Sequence, residues 1–70
     1  MDWQAAHERM KNASDAWEAA RSAWRVANIA MHMNRNPETE AAHQAAYDAV
    51  LSTHVEIEAA YAVVRTFLHA

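Results

Sequence analysis

"NRNPETE", residues 34–40, is the one stretch of this 70-residue chain that carries turn chemistry. The side-chain oxygen of Asn36 can accept from the free N–H groups at the start of a helix. Pro37 suits the first helical position, where an N–H would have no acceptor. Glu38 and Glu40 stand favourably beside the positive end of that helix. Just upstream, Asn34 can adopt the left-handed conformation that closes a preceding helix. One helix end is thus followed at once by one helix start. Elsewhere the chain has no glycine and no second proline, so tight turns of positive φ have no natural site. The expectation is an all-α fold in one domain spanning residues 1–70, with a first helix over about 2–33, a turn over about 34–36 and a second helix over about 37–69. Each helix is then roughly 50 Å long, and so short a link makes them an antiparallel hairpin.

The two long segments carry matching patterns. Trp3, Met10, Trp17, Trp24 and Met31 recur every seven residues, and Ala6, Ala13, Ala20 and Ala27 follow the first four at a spacing of three. That is a heptad with bulky residues at one seam position and alanine at the other. The second helix offers His43, Tyr47, Val50, His54, Ile57, Tyr61, Val64 and Leu68 as its seam. In an antiparallel hairpin, residues whose numbers add to about 70 face each other, which sets Ala6 near Val64, Ala13 near Ile57 and Ala20 near Val50. Large then meets small, as interdigitated cores require. The tryptophans fall near Leu68, His54 and Tyr47 in this register. A buried His54 facing Trp17 would resist protonation and act as a pH-sensitive packing element.

A two-helix hairpin has one seam, and a chain of this length buries little on its own. Small residues at Ala16, Ala19, Ala23 and Ala30 widen the apolar face of the first helix. Leu51, Val55, Ala59, Ala62, Val63 and Phe67 make the second helix apolar on more than one side. Helices apolar over much of their circumference are normally covered by more than one neighbour. The expectation is a homodimer forming a four-helix bundle. Val26, Ile29 and Met33 near the turn, and Val55, Ala59, Ala62 and Val63 on the second helix, are the candidate surfaces for a different protein.

Chemistry is sparse. Cysteine is absent, which removes disulfides and thiolate ligands. His7, His32, His43, His54 and His69 form no His-x-x-x-His pair. Glu40-x-x-His43 has the spacing of carboxylate-bridged metal bundles, but the facing positions, Ala27 and Met31, carry no donors. No metal or other cofactor is expected. Ser14, Ser22 and Ser52 lack a base-and-orienter arrangement, Glu56 and Glu58 diverge on a helix, and no glycine loop could cradle a phosphate. The expectation is therefore a non-enzyme without a small-molecule substrate. A formal charge of −3 and six scattered cationic residues weigh against nucleic acid. No apolar run is long enough for a bilayer, and residues 1–4 do not begin a leader, so a cytoplasmic protein is expected.

In size, alanine content and all-helical architecture, the whole chain resembles the very small proteins that phages and mobile elements encode to block host machinery, of the anti-quorum-sensing, anti-activator and anti-CRISPR type. The resemblance is one of architecture without a shared motif. It implies a bacterial regulator or defence complex as target. The function expected is a protein-interaction module that binds and inhibits or modulates another protein. The alternatives are a structural, self-assembling bundle and, further off, a small helical nucleic-acid regulator.

Overall fold

A computed structural model of the chain describes residues 2–69. It contains two helices, α1 (Trp3–Met33) and α2 (Pro37–Leu68), packed against each other along their lengths. The hairpin is a rod of 51 × 15 × 13 Å.

Side-chain caps fix where each helix begins. The Asp2 carboxylate accepts the Ala5 N–H at 2.7 Å and starts α1. At α2, Asn36 and Thr39 form a reciprocal capping box. The Asn36 side-chain oxygen accepts the Thr39 N–H at 2.9 Å, and the Thr39 hydroxyl oxygen accepts the Asn36 N–H at 3.0 Å. The same hydroxyl donates to the Asn34 carbonyl at 2.9 Å, so Thr39 ties both sides of the turn together. This is why Asn34 is not left-handed. Its φ of −152° is extended, and no described residue has positive φ. Glu38 and Glu40 lie in the first turn of α2, and Glu40 reaches back to Arg35 at 3.3 Å.

The core is one seam. Buried along α1 are Ala6, Ala13 and Met31, and along α2 Ala60 and Val64. Half-buried residues continue the line at Met10, Trp17, Ala20, Trp24 and Ala27, and at Thr39, His43, Ala46, Val50, Thr53, Ile57 and Phe67. Both lists alternate steps of three and four, which keeps one stripe of a helix against its neighbour.

The structure corrects the α2 seam. Ala46, Thr53, Ala60 and Phe67 occupy the positions expected for Tyr47, His54, Tyr61 and Leu68. Both heptads share His43, Val50, Ile57 and Val64, and they differ only in whether three or four residues come next. Bulk on α1 decides between them. Trp3 meets Phe67 edge-on at 5.8 Å, and the seam positions in that register still add to about 70. Met10 then stands opposite Ala60, Trp17 opposite Thr53 and Trp24 opposite Ala46. In these inner layers small residues leave room for an indole or a thioether, whereas at the open end Trp3, half-exposed, accommodates Phe67. The larger side chains are displaced one position around α2 and are exposed.

Candidate functional site

With one seam filled, much of each helix surface is left over. Among the described residues, only Ala6 and Ala60 are completely removed from water. The exposed apolar side chains fall into groups with regular spacing.

The first group lies along α2. Tyr47, Leu51, Tyr61 and Leu68 leave between 43 and 60% of their surface accessible. His54, Glu58 and Arg65 fall between them on the same face. The steps from Tyr47 through Leu51, His54, Glu58, Tyr61 and Arg65 to Leu68 again alternate four and three. The stripe is therefore a second heptad, centred about 100° round the helix from the seam by the 3.6-residue turn. Its polar members are already engaged locally. His54 Nε2 lies 3.7 Å from a Glu58 oxygen one turn on, and the Arg65 guanidinium sits 5.3 Å from the centre of the Tyr61 ring.

His54 therefore differs from the buried histidine that the sequence suggested. More than half of its side chain is exposed, although its ring still lies 6.3 Å from that of Trp17. The burial that would make it a pH-sensitive packing element is missing from the hairpin. His43 is the seam histidine instead, half-buried with its ring 5.9 Å from that of Trp24. His7 sits 5.9 Å from Trp3, so each tryptophan has a histidine ring beside it. The indole Nε1 atoms of Trp17 and Trp24 are buried and have no hydrogen-bond acceptor among the described residues. Over the Trp17 ring, at 4.6 Å, lies the Arg21 guanidinium, a cation–π contact on the rim of the seam.

Near the turn lies the second group: Val26, Ile29 and Met33 on α1, with 59 to 82% of their surface exposed. Val55, Ala59 and Ala62 form the third, on the side of α2 away from the seam, and all three are exposed. Val63, placed with them from the sequence, is half-buried because it borders the seam residue Val64.

One bridge orders the two flanks of the hairpin. Arg9 donates from Nε and Nη2 to the two Glu56 carboxylate oxygens, each at 2.9 Å. The hydrogen bonds from Arg9 hold the Glu56 carboxyl below its usual range, partial desolvation opposes them, and charge attraction adds to them. Glu56 likewise raises Arg9. Arg9 precedes the seam residue Met10 and Glu56 precedes Ile57. Residues just before a seam position thus share one flank. Residues just after it, such as Arg21 on α1 and Tyr47, His54 and Tyr61 on α2, share the other.

Two open depressions, of about 230 Å³ beside Met31, His32 and Arg35 and about 270 Å³ between Glu18, Arg21, Ser22 and Arg25, are smaller than usual ligand pockets. Among the described residues no group of three or more histidine or carboxylate side chains is placed to hold a metal ion, and no helix is long and apolar enough to cross a membrane. Comparison with known protein families, curated proteins and solved structures returns no match.

Proposed function

We propose that the chain is a non-enzymatic protein-interaction module that dimerises through its helices and binds another protein, whose activity it inhibits or modulates. One observation carries this: nine large apolar side chains, from Trp3 to Leu68, remain exposed on a hairpin of only 68 described residues, and most recur at helical spacing. Scattered exposed apolar residues are ordinary, but contiguous apolar faces on a small protein mark interaction surfaces. Val26, Ile29 and Met33 are the surface for the other protein, with Val55, Ala59 and Ala62 as a second contact. The architectural resemblance to phage-encoded inhibitors favours a bacterial regulator or defence complex as target, in the cytoplasm. A purely structural, self-assembling bundle is the alternative, favoured by the same apolar surplus.

Two measurements test this together. Sedimentation equilibrium gives the mass in solution, with a dimer expected. Affinity capture from lysate compares the parent chain with V26E/I29E and V55E/A59E, each first shown to keep its helicity and mass. A stoichiometric protein held by the parent and lost with either variant supports the module. A well-defined oligomer that captures nothing shifts the function to self-assembly. A monomer that captures nothing overturns both.

A further inference from the structure

We infer that the exposed heptad on α2 is the seam for a second copy of this chain, packed antiparallel through α2 in one definite register. This rests on the reading above that the chain dimerises, and it specifies the face and the pairing. The stripe from Tyr47 to Leu68 is about 32 Å long at 1.5 Å per residue, more than half the length of the rod.

Its side chains are complementary to themselves. In an antiparallel helix pair, the two kinds of seam position face each other, so each layer joins residues whose numbers have a constant sum. With the two-fold axis level with residue 56, that sum is 112; three layers pair complementary groups, and at each end Leu68 falls beside Gln44 of the second copy, whose amide is held by Asp48. His54 faces Glu58 of the second copy, so imidazole meets carboxylate twice. Leu51 faces Tyr61 of the second copy, packing an aliphatic chain on a ring. Tyr47 faces Arg65 of the second copy, setting a guanidinium against an aromatic face. The neighbouring registers that still join the two kinds of position have sums of 105 and 119; the first sets His54 against Leu51 and Glu58 against Tyr47, the second sets His54 against Arg65, and neither gives imidazole a carboxylate partner. A parallel pair would oppose each residue to its own copy, so His54, Glu58 and Arg65 would all meet like groups.

The hairpin leaves this face open. It lies on the flank away from the Arg9–Glu56 bridge, so dimerisation leaves that bridge in place. Arg21, stacked on Trp17, and the remaining polar α1 residues on the same flank form a polar rim beside the stripe, whose Leu51–Tyr61 layers lie on either side of the central His54–Glu58 pairs. Val26, Ile29 and Met33, on the other helix, stay free for a different protein. Closure by a two-fold axis also uses up the stripe in a dimer, whereas a head-to-tail contact would propagate.

Because the chain has no cysteine, the register can be tested directly. L51C and Y61C are prepared separately, one carrying a mass tag, and oxidised alone and mixed. The proposal expects disulfide-linked dimers in the mixture and in neither variant alone, since position 51 lies about 15 Å along the axis from its own copy. Self-linking of L51C overturns the proposed register, whether it comes from a parallel pair or from an antiparallel pair with its axis at residue 51. No link in a mixture that sedimentation shows to be dimeric overturns this register and face while leaving the dimer intact. A parent chain that is monomeric overturns the inference together with the dimer of the proposed function. As a second line, H54E sets a carboxylate against Glu58 of the second copy and is expected to raise the dissociation constant about tenfold, with H54E/E58R restoring it. Equal dimerisation by the parent and H54E counts against the pairing.

Discussion

Replacing Ala60 by leucine is expected to destabilise the hairpin strongly, although the change adds apolar surface to a helix. Ala60 is completely buried and stands opposite Met10 in the seam register. The added carbons must displace the methionine or separate the helices. Forcing extra methylenes into a packed site costs about 1–3 kcal/mol, which at about 4–8 °C per kcal/mol lowers the thermal midpoint by roughly 4–24 °C. The control is Ala59→Leu, the same chemistry one position away on an exposed surface, where a change within about 0.5 kcal/mol is expected. Thermal melts followed by helical circular dichroism, at one fixed protein concentration, measure both. M10A/A60L moves the bulk from α1 to α2 and should recover part of the loss, because residues sharing a layer couple by about 0.5–3 kcal/mol. If Ala60→Leu melts like Ala59→Leu, or higher than the parent, Ala60 does not lie in the seam and the register is wrong.

The turn and the bridge give further expectations. Asn36→Ala removes half of the capping box and should cost about 1 kcal/mol, read as a lower thermal midpoint, with no loss of secondary structure at low temperature. The Arg9–Glu56 pair is exposed, so its effect should be small and fade in high salt. Because the folded-state value of Glu56 is depressed, its stabilisation is present above the ordinary carboxylate range and disappears as pH falls through the lowered value; Glu56→Gln should remove that acid-dependent part, measured as the difference between melts at neutral and acidic pH. At position 17 or 24, benzothienylalanine keeps the ring shape and deletes the buried, unsatisfied N–H. The thermal midpoint should rise, since leaving such a donor unpaired costs about 1–3 kcal/mol; a fall would mean that the indole N–H is in fact paired.

How far the fold could be read from the chain differs between its parts. The break was legible because Asn36 and Pro37 have few alternative uses outside a helix start. The α1 seam was legible because Trp3, Met10, Trp17, Trp24 and Met31 share one phase over the whole helix, whereas Val26, Ile29 and Met33 form only a short line near the turn. On α2 two heptads interleave, sharing His43, Val50, Ile57 and Val64. Following size selects Tyr47, His54, Tyr61 and Leu68, and that selection fails because hydrophobic bulk on one helix does not say what the other has room for. Volume across the layer would have settled it: directly opposite Trp17 and Trp24 the small side chains Thr53 and Ala46 fit, and the histidine rings of His54 and His43 lie beside the indoles. The burial assigned to His54 failed for the same reason. Asn34 was misjudged differently, because its capacity for a left-handed turn was weighed without the Thr39 hydroxyl that holds its carbonyl.

The displaced seam also bears on function. A helix that needed only to fold onto its neighbour could place polar residues next to its alanines, as α1 does with Ser14, Arg21 and Asn28 on the flank that follows its seam. At the equivalent positions α2 carries Tyr47, His54, Tyr61 and Leu68. The two helices therefore share one inner seam but differ on the same flank, polar on α1 and largely apolar on α2. The inner layers of the hairpin are filled by Ala46, Thr53 and Ala60, and the bulky flank residues lie outside them, about half-exposed. That arrangement works against solubility, since exposed aromatic and aliphatic side chains on a small protein invite association. Spacing is what separates a binding face from chance exposure here. Leu51 and Tyr61 alone would be unremarkable, but with Tyr47, His54, Glu58, Arg65 and Leu68 they hold a single heptad phase over residues 47–68 of α2. That phase matters only if another helix lies along it.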